Sequence, residues 1–198
     1  MLGNAQEIRR LVTGHRSRGF RAVPLMLPLL VSSCTAATPG EFGPDPVYRA
    51  LFTSIADSLG DGARVVIDPR TSAPDHAAQV IDGWIGAPGS VIRAYRSANA
   101  ESIELTRTDF PLPFIDEHVG SRRDANDPDT WYQQLADTHG GRPTVLIVSR
   151  PGFARDGRRA VIHYELYCGR LCASYHVAEL EVRADTWLVI RHFTYGIS

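Results

Sequence analysis

The sequence has no lysine: all 21 of its basic residues are arginine. That reads as genome composition and points to no function. Methionine occurs twice and cysteine three times. No apolar run approaches the roughly 20 residues that carry a helix across a bilayer, so a spanning helix is excluded. G-x-S-x-G, the P-loop, G-x-G-x-x-G and H-E-x-x-H are all missing, which removes the nucleotide, dinucleotide, lipase-type and zinc-protease readings that rest on short motifs. There is no internal repeat. The chain lacks a strong excess of either charge, with a formal net charge of −1 over 198 residues.

The first third is not fold. Arg9, Arg10, Arg16, Arg18 and Arg21 form a basic segment opposed only by Glu7, and Ala22 to Val31 (AVPLMLPLLV) is apolar. About ten apolar residues behind a basic segment fit the h-region of an export signal. Val31-Ser32-Ser33-Cys34 follows and resembles the bacterial lipoprotein cleavage box, in which a small residue precedes the cysteine that receives lipid. The resemblance implies a lipoprotein signal peptide over 1–33, lipidation of Cys34, and a partner in the membrane itself. Residues 34–46, rich in proline and glycine, then read as a flexible tether, and 47–198 as a single domain. Without 1–33 the chain keeps 16 arginines against 21 acids, about −5. An acidic surface argues against nucleic acid, whose binding rests on neutralising phosphates, and against anionic lipid heads.

The expected fold is α+β: an N-terminal helix packed on a curved, mainly antiparallel sheet, with β-hairpins at the C-terminus. Val47, Leu51, Ile55 and Leu59 repeat at helical spacing behind Asp45-Pro46, and Gly60 supplies a stop. Arg64–Asp68 reads as a short strand, Asp75–Trp84 as a weak helix, Val91–Asn99 as a helix, and Ile103–Thr106 as a strand. Phe110–Asp129 reads as a long loop making a surface excursion. Asp127-Pro128 opens a short helix carrying Trp131 and Leu135, and Val145–Ser149 is a buried strand.

The C-terminal fifty residues organise the domain. Ala160–Cys168 and Cys172–Val182 form a hairpin about Gly169-Arg170-Leu171, and a third strand starts at Trp187. Placing Cys168 opposite Cys172 sets Tyr164 against His176, Ile162 against Ala178 and Ala160 against Leu180, all on one apolar face. Val161, His163, Glu165, Tyr167, Tyr175, Glu179 and Glu181 share the other face, a mixed set suited to water. Two cysteines flanking a tight turn meet the Cα separation of a disulfide. The pair also agrees with an oxidising compartment, which leaves Cys34 as the odd cysteine.

Gly152-Phe153, Asp156-Gly157 and Ala160, then Tyr167-Cys168-Gly169, Leu171-Cys172, Trp187 and Ile197-Ser198, resemble a pattern of uncharacterised bacterial secreted proteins and lipoproteins. The resemblance covers about the last fifty residues. It implies an α+β domain of the bacterial cell envelope and carries no catalytic residues. This chain departs from the pattern at Ala173, where glycine is usual, and at Ala184-Asp185, where the pattern has Asp-Gly.

Two chemistries are tempting and fail. His163, Cys168, Cys172 and His176 look like a zinc set, but His176 lies about 13 Å along a strand from Cys172, whereas zinc ligands sit within about 2.3 Å of one ion. His163-Tyr164-Glu165 ahead of two cysteines echoes the zinc deaminases, but the proline is missing and the cysteine spacing is wrong. No metal and no cofactor is expected. Asp116-Glu117, adjacent acids on a loop, read as solvated charges. The candidate pocket is His163, Glu165, Tyr164 and His176 on the aromatic-rich sheet. Two functions follow: a non-catalytic envelope lipoprotein binding a protein or small ligand, or a periplasmic hydrolase using a histidine or carboxylate in a sheet pocket.

Overall fold

The computed structural model describes residues 44–60, 62–106, 110–169 and 171–198. Its architecture is α+β, with four α-helices and a mixed, mostly antiparallel open sheet of six strands. The strands are β1 (Val65–Ile67), β2 (Thr144–Val148), β3 (Gly152–Phe153), β4 (Arg159–Gly169), β5 (Cys172–Arg183) and β6 (Thr186–Ile197). Their spatial order is β1-β2-β4-β5-β6, and β3 also pairs with β4. Among the described strands β1 and β2 are the pair that runs parallel, joined by the crossover that carries α2 (Ala77–Val80), α3 (Gly89–Ala98) and α4 (Pro128–Thr138).

The register on the long hairpin is Tyr164 to His176, Ile162 to Ala178 and Ala160 to Leu180. At the turn it slips. A shift between Tyr167 and Gly169 pairs Cys172 with Gly169 and not with Cys168, yet the two cysteines remain at disulfide distance, with Cα atoms 5.0 Å apart.

The two sheet faces are covered by different helices. On one side α1 (Pro44–Leu59) buries Val47, Tyr48, Leu51, Phe52 and Ile55 among Leu146, Val148, Ile162, Ala178 and Leu180. Leu59, last of the helical series, is 38% exposed and lies outside that cluster. The opposite face, expected to suit water, is buried instead. Trp131, Tyr132 and Leu135 of α4 pack on Val66, Val145, Ile147 and Tyr167. Val91, Ile92 and Tyr95 of α3 pack on Val161 and Val177. Alternation with period two lets each strand feed both layers, so the polar members of the second face, His163 among them, are carried into the interior.

Local sequence explains the helices of that second layer. Asp127 caps α4 by accepting from the Asp129 N–H at 3.1 Å, with Pro128 in the first turn, where its missing donor costs nothing. The segment Asp75–Trp84 yields only α2, which widens into a π turn over Ile81–Ile85. At the end of α3, Asn99 grips Arg150 from both sides, accepting its N–H and donating to its carbonyl, each at 2.8 Å. Ile103–Thr106 forms no strand; the segment makes a single bridge, Glu104 to Arg70.

The first part of the Phe110–Asp129 segment, through Ile115, is not a surface excursion, whereas much of the rest is exposed. Ile67 N–H donates to Pro113 at 2.7 Å and Ile115 N–H donates back to Ile67 at 2.9 Å, so the segment lies along β1. Ile115 is fully buried, and Phe110 meets Phe52 edge-on at 5.0 Å. An unpaired strand edge and apolar side chains are covered together, which a free loop would leave exposed.

Candidate functional site

Asp68 follows β1 directly. Its N–H donates to Leu146 at 2.9 Å, extending the β1–β2 pairing by one step, which brings it level with Ile147. Ile147 is in turn paired with Glu165 of β4. Asp68, Ile147 and Glu165 therefore lie side by side on three neighbouring strands, facing the α4 layer. Two acids so placed, about 10 Å apart along the sheet at ordinary strand spacing, flank one apolar residue.

Arg122 joins them. It sits in a 3₁₀ turn (Arg122–Asp124) at the end of the segment that covers β1. Its backbone N–H donates to Asp68 Oδ2 at 3.0 Å, and its guanidinium donates to Glu165 Oε1 at 3.0 Å. The same guanidinium lies 4.0 Å over the Tyr167 ring, a cation–π position that fixes the plane of its donors. Asp68 Oδ1 accepts from the Arg70 N–H at 2.9 Å, and the Arg70 side chain reaches Asp124 at 3.3 Å. Asp68, Arg70, Ser72, Arg122, Ile147 and Glu165 line an open cleft of about 190 Å³.

Burial sets the electrostatics. The Asp68 carboxyl is pushed above the usual carboxylate range by desolvation, against the hydrogen bonds from Arg70, Ser121 and Arg122. Glu165 is raised for the same reason; Arg122 opposes the rise and the Asp68 charge adds to it. A cation entering the cleft would relieve both acids, because a positive neighbour favours the ionised form. The cleft also lies just past the carboxyl end of β1 in the parallel part of the sheet, where open α/β sheets place their ligands.

The four residues expected to share a pocket are divided. Glu165 lines the cleft. His163 is on the same face but lies under α2 and α3, 2% exposed; its Nε2 meets the Tyr195 hydroxyl at 2.7 Å, and its backbone N–H donates to Ser149 Oγ at 2.9 Å. Its Nδ1 is buried with no hydrogen-bond partner among the described residues, so the tautomer with the proton on Nε2, donating to Tyr195, leaves only a lone pair unmatched. Tyr164 and His176 point to the α1 side, their rings stacked at 4.6 Å. His176 meets Ser174 at 2.7 Å and Thr194 at 2.9 Å. The nearest partners of both histidines are hydroxyl groups. Cys34 lies outside the described residues.

A second constellation stands on the α1 side. Ser54 Oγ is 3.2 Å from His192 Nε2, and His192 Nδ1 is 2.9 Å from the Tyr164 hydroxyl. Partial burial holds His192 below its ordinary value, so its ring is neutral near pH 7. Tyr164 is pushed up to about 12 by burial and stays protonated. Ser54 also lines a groove of about 810 Å³ between α1 and β6, with Arg49, Asp57, Trp187 and Val189.

Compared with known proteins, the chain significantly matches no family model, no curated protein and no solved structure. Function therefore rests on these residues alone. Sequence reasoning missed Asp68, Arg70 and Arg122. The signals available were an acid followed by proline at a strand end and a charged stretch closing a long loop; neither says that the two meet.

Proposed function

We propose that this chain is a bacterial envelope lipoprotein, held at a membrane through lipid on Cys34, whose domain binds a small ligand without transforming it. The anchor reading is supported by the basic and apolar segments ahead of Val31-Ser32-Ser33-Cys34, and by a cysteine pair at disulfide distance, suited to an oxidising compartment. The binding reading is carried by one observation: the charge-lined cleft at Asp68, Arg122 and Glu165. Its acids are already met by fixed donors, an arrangement that positions a polar ligand by directed contacts.

The intact mass of the full chain recovered from bacterial membranes tests the anchor. The expected species has lost residues 1–33, gained acyl mass at Cys34, and carries two hydrogens fewer at Cys168 and Cys172. Cys34→Ala is expected to abolish the acyl addition and leave the chain off the membrane. An unprocessed, reduced chain overturns the reading.

A second reading, a periplasmic hydrolase, is favoured by a specific geometry: a serine hydroxyl within reach of a neutral histidine whose other nitrogen is held by a buried tyrosine. Nucleophile, base and orienting group is the pattern of an activated serine.

A further inference from the structure

We propose that the cleft between Asp68, Arg70, Arg122 and Glu165 takes a small zwitterion, a molecule of the amino-acid class with one ammonium and one carboxylate. This rests on the reading of the domain as a binding module and is independent of the lipid anchor.

Size is the first argument. At about 190 Å³ the cleft is below the roughly 300–1,000 Å³ typical of drug-sized ligands. Charge is the second. The wall carries both signs: Asp68 and Glu165 as acceptors, Arg70 and Arg122 as donors. A simple anion would face the buried Asp68 and the half-buried Glu165, and a simple amine would face the two guanidiniums. A zwitterion satisfies both. Its ammonium lies between Asp68 and Glu165, whose carboxylates accept from Arg70 and Arg122 and keep further lone pairs for another donor. Its carboxylate meets Arg70, whose present partner, Asp124, is half exposed at the rim. An exposed ion pair of that kind contributes little and is readily exchanged for a ligand carboxylate. Ile147 gives the site an apolar floor for a short side chain, between the two acids.

Arg122 makes the site rigid. Its backbone holds Asp68, its head holds Glu165, and its plane is held by Tyr167. One residue thus sets both acidic contacts before a ligand arrives, which lowers the ordering cost of binding.

The test is calorimetric titration of the purified full chain with L-alanine, L-serine, L-leucine and L-glutamate. Propionate and ethylamine, which are alanine without its ammonium and without its carboxylate, serve as controls. At least one amino acid is expected to bind ten-fold or more tightly than either control. Glu165→Gln and Arg70→Gln are each expected to weaken that binding at least ten-fold. Arg70 is on the surface, so its variant keeps the fold and decides the question if Glu165→Gln does not. Binding of no amino acid, equal binding of either control, or wild-type affinity in Arg70→Gln overturns the proposal. A sugar or nucleotide that raises Tm while no amino acid does also overturns this ligand class and leaves the binding reading standing.

Discussion

A β-carbon added to Gly152 would lie 2.5 Å from the Tyr95 β-carbon and 2.7 Å from its backbone nitrogen. Strand β3 thus crosses α3 with no room for a side chain, and this is where the edge of the sheet meets the helix layer. Because the obstructing atoms are the Tyr95 β-carbon and backbone, which no rotation of the side chain moves, no rotamer change relieves the clash. Gly152→Ala is expected to destabilise the domain by about 1–3 kcal/mol, the usual penalty for overpacking, seen as a lower urea midpoint at unchanged slope. Ala at the solvent-facing Gly83, where an added Cβ meets nothing within 4 Å, is the matched control.

The β5–β6 turn carries strain that substitution can relieve. Ala184 and Asp185 both have positive φ, 47° and 61°, in a two-residue connection between Arg183 and Thr186. Both central residues of such a turn need the left-handed region, where glycine, asparagine and aspartate are at home, and an alanine loses roughly 1–2 kcal/mol there. The double change Ala184→Asn, Asp185→Gly is expected to stabilise the domain by about 1–2 kcal/mol. Thermal unfolding reads it directly, and an unchanged or lower Tm would show that the turn holds no strain.

How far the sequence reveals this molecule depends on distance along the chain. The hairpin register, Tyr164 with His176 and Ala160 with Leu180, follows from a short turn and strict alternation, both local. The burial of His163 and Tyr167 does not, because α3 and α4 arrive from far upstream and a mixed strand face looks the same whether a helix or water covers it. The cleft is less legible still. Asp68 and Arg122 are 54 residues apart, and Arg122 and Glu165 a further 43. Their meeting is set by the segment along β1, whose proline-rich start disguises it as an ordinary loop. Ser54 and His192 are 138 residues apart, and no motif links them.

Acid should destabilise the domain through His163. Burial holds its pKa at about 3, against an ordinary 6.5, and nearby His76 and His176 push the same way. Tyr195 on β6 is its neutral hydrogen-bond partner. The folded value is the lower one, so the unfolded chain binds the proton first. Stability from this group is complete above about pH 6.5 and is lost as pH falls toward 3, at no more than about 1.4 kcal/mol per pH unit. His176, lowered to about 4, adds to the loss in the same range. His163→Gln removes one titrating group while keeping a partner for Tyr195. Urea unfolding from pH 7 to 4.5 should show a shallower loss of stability in the variant; identical slopes would place the acid sensitivity elsewhere.

The Ser54–His192–Tyr164 chain makes the most decisive test of the hydrolase reading. If His192 accepts the Ser54 proton at Nε2, its Nδ1–H donates to Tyr164, and the neutral ring is held for that role. A serine so activated attacks a phosphorus or carbonyl centre: the Oγ–P or Oγ–C bond forms, its proton passes to Nε2, and the leaving group departs with that proton. A fluorophosphonate probe would then add covalently at Ser54 with loss of fluoride. Mass spectrometry of the labelled chain should locate the adduct there, Ser54→Ala should abolish it, and His192→Gln should slow it by at least 100-fold, as removal of a general base does. Tyr164→Phe keeps the ring stacked on His176 and removes only the hydroxyl, so it should slow labelling by a smaller factor while leaving the sheet packed. An unlabelled Ser54, or labelling indifferent to His192, ends the hydrolase reading; the binding reading of the cleft at Asp68 and Glu165 stands or falls on its own titration.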